Sequence, residues 1–154
     1  MKARITPALV AILILAACGD STKPPEFADL SGTLNGTAEG TAPRMTFSGT
    51  SSFTVSQKDG ALTGTATLKG ELSFGGEKIP FDLPGLPFTG TVAKGEDPKV
   101  DLKLPGLQCQ STIDFTGSYA SNTKELSLTG SIGMFDDENC QKIVDLSTTL
   151  KLKK

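Results

Sequence analysis

The feature that most constrains this chain is a two-residue alternation of apolar and polar side chains, which runs through most of the sequence from residue 45 onward. In the stretch 61–74, every second residue from Leu62 to Phe74 is apolar or glycine, and the residues between them are Thr, Lys, Glu or Ser. Successive side chains of a strand point to opposite faces, so the pattern predicts long strands with one buried and one solvated face. Nowhere after residue 18 do apolar residues recur at the 3.6-residue spacing of an amphipathic helix.

The alternating stretches are separated by turn signals such as Lys58-Asp59-Gly60, which is typical of a hairpin turn with the positive-φ residue it needs. We therefore predict an all-β fold, an antiparallel up-and-down β-barrel of about eight strands, with a β-sandwich as the alternative. The strands are predicted near residues 29–37, 43–57, 61–74, 78–92, 98–104, 107–120, 124–134 and 141–152.

A short repeat places glycine on the apolar face of the strands. Its form is an apolar residue, a polar residue, Gly, and then Thr, Ser or Glu. Glycine inside a strand lowers stability, so its recurrence needs a geometric reason. Curvature supplies one, because a sheet that closes into a barrel crowds its concave face, and a neighbouring Phe or Leu can cover the bare backbone. The eight glycines are Gly32, Gly36, Gly49, Gly64, Gly70, Gly90, Gly117 and Gly130.

Two copies of Leu-Pro-Gly-Leu, at 83–86 and 104–107, interrupt the alternation. Apolar residues change from odd to even positions across the first copy and from even to odd positions across the second. A shift of one residue is what a β-bulge or a corner produces, and proline suits a break in the hydrogen-bond ladder. We predict a corner at each copy, with a two-residue hairpin as the alternative.

The first 18 residues have the order of an export signal. Lys2 and Arg4 precede an apolar run over 8–15, which is too short to cross a bilayer as a helix, and Leu15-Ala16-Ala17-Cys18 follows. These four residues resemble the lipobox of bacterial lipoproteins. The resemblance implies that diacylglycerol is attached to the Cys18 thiol, that the chain is cut before it, and that the new N-terminus is usually acylated.

This reading divides the chain into a signal peptide over 1–17, a lipidated tether over 18–26 and a single β-barrel domain over 27–154. Two or three acyl chains, such as palmitate, anchor a protein to a membrane almost permanently. In Gram-negative lipoproteins an Asp directly after the lipidated Cys favours retention in the inner membrane, and here Gly19 holds that position. We therefore expect a cell-envelope protein, lipid-anchored in the outer membrane rather than the inner membrane.

Charge and cysteine content agree with export. Without the signal peptide the chain carries 13 basic and 17 acidic side chains and no basic stripe, so we predict no nucleic-acid partner. Once Cys18 is lipidated, Cys109 and Cys140 remain as an even pair in an oxidising compartment, which predicts one disulfide. Two reactive thiols are the alternative, although no C-x-x-C spacing or nearby His is present to lower a thiol pKa.

The chain contains no His and no Trp. It therefore lacks histidine-based acid/base catalysis and His-ligated metal sites, and the G-x-S-x-G motif is also absent. We predict no enzyme activity, no catalytic residue, no cofactor and no metal. The acidic run 136–139 lacks the alternating ligands and the Gly of a calcium loop, so we interpret it as a solvated turn, with Ca²⁺ binding as the alternative.

Three functional classes follow from this composition. The first is a binding module whose apolar inner face takes a lipid-like or other small apolar ligand. An architecture of this kind resembles that of the bacterial lipocalins, some of which are outer-membrane lipoproteins. The second is an interaction or inhibitor-type module that contacts an envelope protein, and the third, an enzyme, is the least favoured. The candidate ligand residues are Phe47, Phe53, Phe81, Phe88 and Phe115, for which a closed core is the preferred alternative because small barrels are commonly packed solid.

Overall fold

A computed structural model of the protein describes residues 26–107, 109–110, 112–136 and 138–154. Each strand pairs antiparallel with the next along the chain, and the last pairs with the first, so the sheet is a closed barrel. The prediction of an all-β, eight-stranded up-and-down barrel is confirmed. The strands are β1 (Gly32–Ala42), β2 (Met45–Lys58), β3 (Ala61–Phe74), β4 (Glu77–Val92), β5 (Lys99–Pro105), β6 (Thr112–Ala120), β7 (Glu125–Phe135) and β8 (Lys142–Lys153).

The unbroken alternation of β2 and β3 gives an equally unbroken ladder. These two strands pair from Met45 opposite Phe74 to Lys58 opposite Ala61. In the turn between them the positive φ, 54°, belongs to Asp59, and Gly60 is not among the glycines with positive φ. Gly60 is needed for space instead, because a Cβ there would lie 2.7 Å from the Phe27 ring.

One hydrophobic core fills the inner face of the strands. Its largest fully buried side chains include Phe53, Phe115, Leu34 and Leu128, and they come from both halves of the chain. Each such side chain contributes about 1.5–3 kcal/mol when it is removed from water. In the described part of the chain, no buried side-chain nitrogen or oxygen lacks a hydrogen-bond partner.

The inward-facing glycines lie where neighbouring strands come too close for a side chain. A Cβ on Gly36 would overlap the carbonyl oxygen of Lys151, and one on Gly117 would overlap that of Ser127. At Gly64, a Cβ would lie 2.9 Å from the Phe88 ring, so the ring covers the bare backbone. This crowding explains why these positions are glycine in a sheet that closes into a barrel. Gly32 is the exception, because it starts β1 with a φ of 107° and a Cβ there would make only an ordinary contact, 3.8 Å from Lys154 Cε.

The two Leu-Pro-Gly-Leu copies have different structures. At the first, Leu86 pairs with Ala66 and Leu83 with Leu68, so two residues of β4 face one residue of β3 in a bulge. Gly85 adopts a φ of 64° there, and the predicted corner is confirmed. At the second copy the predicted corner is wrong: β5 ends at Pro105, and the chain leaves the sheet before β6 pairs back onto β5 from Thr112. The predicted strand over 107–120 therefore begins only at Thr112.

Candidate binding site at the distal end of the barrel

The up-and-down topology gives the barrel two ends, which we name by their distance from the N-terminal segment. The proximal end holds residues 26–31, the connections 59–60, 93–98 and 121–124, and the C-terminus. The distal end holds the connections 43–44, 75–76, 106–111 and 136–141.

The N-terminal segment folds across the proximal end and closes it. Leu30 is only 1% exposed and belongs to the core. Gln57 fixes the segment, because its Oε1 accepts from the Leu30 N–H at 2.8 Å and its Nε2 donates to the carbonyls of Ala28 and Asp59 at 2.9 Å each. Phe27 bridges to Lys94, whose Nζ lies 5.0 Å from the ring centroid.

An ion pair joins the two termini at the same end. The Lys154 Nζ lies 2.9 Å from Asp29 Oδ2. Hydrogen bonds from Lys154 and from the Ser31 N–H lower the pKa of Asp29 to about 2. The proximal end is therefore sealed by apolar packing, hydrogen bonds and charge together.

The distal end, in contrast, exposes apolar side chains. Within the described residues, the exposed large apolar side chains are Phe74, Ile79 and Ile143, at 50%, 48% and 69% exposure, and all three lie at this end. Four half-buried apolar side chains at the same end, Met45, Phe81, Leu107 and Met134, pack against the core. We call this set the distal rim: Met45, Phe74, Ile79, Phe81, Leu107, Met134 and Ile143.

Unequal strand pairing creates the distal rim. β4 pairs with β5 only over residues 89–92, whereas its pairing with β3 extends to Glu77. Likewise, β7 pairs with β8 out to Phe135, whereas its pairing with β6 stops at Gly130. The tips of the β3–β4 and β7–β8 hairpins therefore project on opposite sides of the barrel. Where β4 leaves β5, an open groove of about 320 Å³ is lined by Pro87, Phe88, Thr89, Lys103, Leu104, Pro105 and Thr112.

A disulfide fixes the shape of this end. Cys109 and Cys140 are bonded, with 5.4 Å between their Cα atoms, and the predicted disulfide is confirmed. It joins the loop 106–111 to the loop 136–141. Gln110 adds a second link, because its Oε1 accepts from the Gly133 N–H at 2.8 Å. The loop after β5 is thereby tied to β7, across the barrel end from the unpaired edge of β4.

The five predicted ligand residues divide between the core and the distal rim. Phe81 is half-buried and belongs to the distal rim, and its ring contacts Phe47 edge-on at 5.2 Å between centroids. Phe53 contacts Phe88 at 5.5 Å. The Phe115 ring would lie 2.6 Å from a Cβ on Gly130, so it covers that glycine as Phe88 covers Gly64. Phe47, Phe53, Phe88 and Phe115 are all at most 4% exposed.

The sequence pattern did not predict most of the distal rim. Met45, Phe74 and Ile79 follow the same alternation as core residues, and the alternation does not tell which positions lie beyond the last covered layer. A usable signal was the clustering of Pro80, Pro84 and Pro87, because proline marks an unpaired strand edge.

The remaining site predictions concern lipid and metal. Cys18 lies outside the described residues. In the acidic run, Asp136 Oδ1 accepts from the Glu138 N–H at 2.8 Å, and Asn139 Oδ1 accepts from the Gln141 N–H at 3.0 Å, which are turn contacts. No group of three or more His, Cys, Asp or Glu side chains in the described ranges is placed to hold a metal ion. Those ranges also contain no helix of the length and hydropathy that a membrane span requires.

Comparison with protein-family models, with curated proteins and with solved structures finds no match for this chain. The function of the protein is therefore inferred from the geometry of the two barrel ends.

Proposed function

We propose that this protein is a non-enzymatic β-barrel lipoprotein of the cell envelope, anchored through acyl chains on Cys18, which uses its distal rim to bind an envelope protein or a small apolar ligand. The observation that carries the proposal is the contrast between the two ends. Leu30 closes the end at which the tether enters, whereas Phe74, Ile79 and Ile143 are exposed at the other end. A cluster of exposed apolar side chains on a small domain typically marks an interaction site.

The tether length supports an orientation. Residues 19–26 separate Cys18 from Phe27. A fully extended stretch of this length spans about 30 Å. The 14 residues of β2, tilted as barrel strands are, rise about 35 Å along the barrel axis. A barrel held by its proximal end at this reach cannot invert to rest its distal rim on the anchoring bilayer, so the distal rim faces away from that membrane.

The ionisable groups support a non-enzymatic role. Among the carboxyls of the described residues, those with a clearly shifted pKa are Asp29 and Asp101, which lie on the surface, and both shifts are downward. A hydrogen bond from the Thr116 hydroxyl, followed by one from Lys99, lowers the pKa of Asp101. Such carboxylates are ionised at neutral pH, whereas a general acid needs a raised pKa.

A second candidate is an interaction or inhibitor-type module with a solid core. The edge and tilted contacts of Phe47 with Phe81 and of Phe53 with Phe88 support it, because rings that fill one another's space leave little room for a ligand deep in the barrel. Both candidates place the binding surface at the distal rim.

Metabolic labelling with an alkyne fatty acid tests the anchor. The full-length protein should carry the label and fractionate with membranes, whereas Cys18→Ser should lose both. Cys109→Ser with Cys140→Ser is the control, because it removes the two cysteines of the disulfide together and should retain the label. Equal labelling of Cys18→Ser and the unmodified sequence would refute the proposed anchor.

A further inference from the structure

We propose that the distal rim binds one hydrocarbon chain, such as the acyl chain of a fatty acid, between the tips of the β3–β4 and β7–β8 hairpins. This inference rests on the proposed function and specifies its ligand. It also moves the site from the inner phenylalanines, which are buried, to the end of the barrel.

The exposed area favours a small occupant. Phe74, Ile79 and Ile143, at 50%, 48% and 69% exposure, together leave on the order of 300 Å² of apolar surface in water. A stable protein–protein interface buries about 800 Å² on each partner, of which about 450 Å² is apolar. The exposed apolar area of the distal rim is therefore smaller than a second copy of this chain would need, whereas a single alkyl chain can cover it.

The strand edge beside the distal rim disfavours an extended peptide. Residues 77–88 of β4 pair on the β3 side only, which would ordinarily invite a further strand. Pro80, Pro84 and Pro87 lie in this stretch and have no N–H to donate. A peptide would thus lack much of its main-chain hydrogen bonding there, whereas a hydrocarbon chain needs none.

The composition and depth of the distal rim suit an alkyl chain. Met45 and Met134, the two methionines of the described chain, both lie in it, and methionine adapts its shape to irregular apolar ligands. The Phe81–Phe47 contact makes the distal rim continuous with the core.

The absence of tryptophan allows a direct test. The acylated protein would be reconstituted in phospholipid nanodiscs with a single reporter, either Ile79→Trp in the distal rim or Thr65→Trp on the exposed outer wall. Dibromostearate, whose bromine atoms quench tryptophan on contact, is the probe. We expect saturable quenching of at least half of the emission from the Ile79→Trp reporter, and only the weak, linear quenching of free collisions from the Thr65→Trp reporter.

A second pair of variants separates binding from misfolding. In the Ile79→Trp background, Phe74→Asp should raise the apparent Kd at least tenfold, whereas Thr63→Asp, an equally exposed change on the outer wall, should change it less than twofold. Circular dichroism of both should retain the barrel spectrum. Equal quenching of the two reporters, or an unchanged Kd in Phe74→Asp, would overturn the inference.

Intact-protein mass spectrometry of the same samples shows whether Cys18 is acylated, so that failure of the ligand hypothesis can be distinguished from failure of the anchor hypothesis. If the protein is acylated but its Ile79→Trp reporter is not saturably quenched, the hydrocarbon-binding hypothesis is refuted and the anchor hypothesis stands. Saturable quenching in protein without acyl mass would support the ligand and refute the anchor.

Discussion

The two ends of this barrel are built from the same alternating strands, yet one is closed and the other is open. At the proximal end, the N-terminal segment before β1 places Leu30 on the core, and Gln57 holds this segment in position. At the distal end the connections are short turns or are tied aside by the Cys109–Cys140 disulfide, and Phe74 and Ile79 remain half exposed. The strands therefore form the wall of the barrel, whereas the segments before and between them determine whether an end is closed or open.

The largest expected effect follows from removing the distal disulfide. Closing a loop of 31 residues contributes about 3–4 kcal/mol on the chain-entropy model. Cys109→Ser with Cys140→Ser should therefore lower the free energy of unfolding by about that amount in urea denaturation. Amide exchange should accelerate first in the loops 106–111 and 136–141 and leave residues 28–31 protected. Uniform acceleration at both ends would contradict a local role for the bond.

Opening the proximal end should have the next largest effect. Leu30→Ala removes a fully buried side chain, and we expect a loss of about 2–3 kcal/mol in the free energy of unfolding. Ile143→Ala is the control at the distal end, where an exposed side chain should change stability by less than about 0.5 kcal/mol. Equal losses in the two variants would mean that the ends do not differ as described.

Two glutamines, one at each end of the barrel, allow the stability contributions of the two ends to be compared. Gln57 makes three hydrogen bonds at the proximal end, to Ala28, Leu30 and Asp59, and Gln110 makes two at the distal end, to Gly133 and Ser131. Gln57→Ala should cost about 1–3 kcal/mol and Gln110→Ala about 1 kcal/mol in thermal or urea unfolding. The order of the two losses is the decisive result, and a larger loss for Gln110→Ala would reverse it.

The smallest expected effect is the pH dependence of the terminal ion pair. Because the pKa of Asp29 is lowered from 3.8 to about 2, its contribution to stability is fully present above about pH 4 and is lost as the pH falls toward 2. The pair is exposed, so the contribution should stay below about 1 kcal/mol and weaken in high salt. The stability difference between the unmodified protein and Asp29→Asn should shrink as the pH falls through 2. A difference that is unchanged between pH 5 and pH 2 would exclude Asp29 ionisation as its source.

Much of the barrel could be predicted because its cause is local. Apolar and polar side chains alternate in successive strands, and glycines such as Gly36 and Gly117 lie where a neighbouring strand leaves no room for a side chain. The distal rim could not be predicted in the same way, because its exposure depends on where β5 and β6 stop relative to their neighbours. That relative stagger arises from the pairing of distant residues, such as Thr89 with Lys103 and Phe115 with Gly130.

Orientation at a membrane tests the central claim most directly. The acylated protein would be placed in nanodiscs that contain lipids with an energy-accepting fluorophore on the headgroup, and tryptophan would be introduced at the proximal end by Lys58→Trp or in the distal rim by Ile79→Trp. The account predicts strong energy transfer from the Lys58→Trp reporter and weak transfer from the Ile79→Trp reporter, because the latter lies about 30 Å further along the barrel axis. Equal transfer from the two reporters, or stronger transfer from the Ile79→Trp reporter, would contradict a barrel anchored by its closed end with its apolar rim facing away.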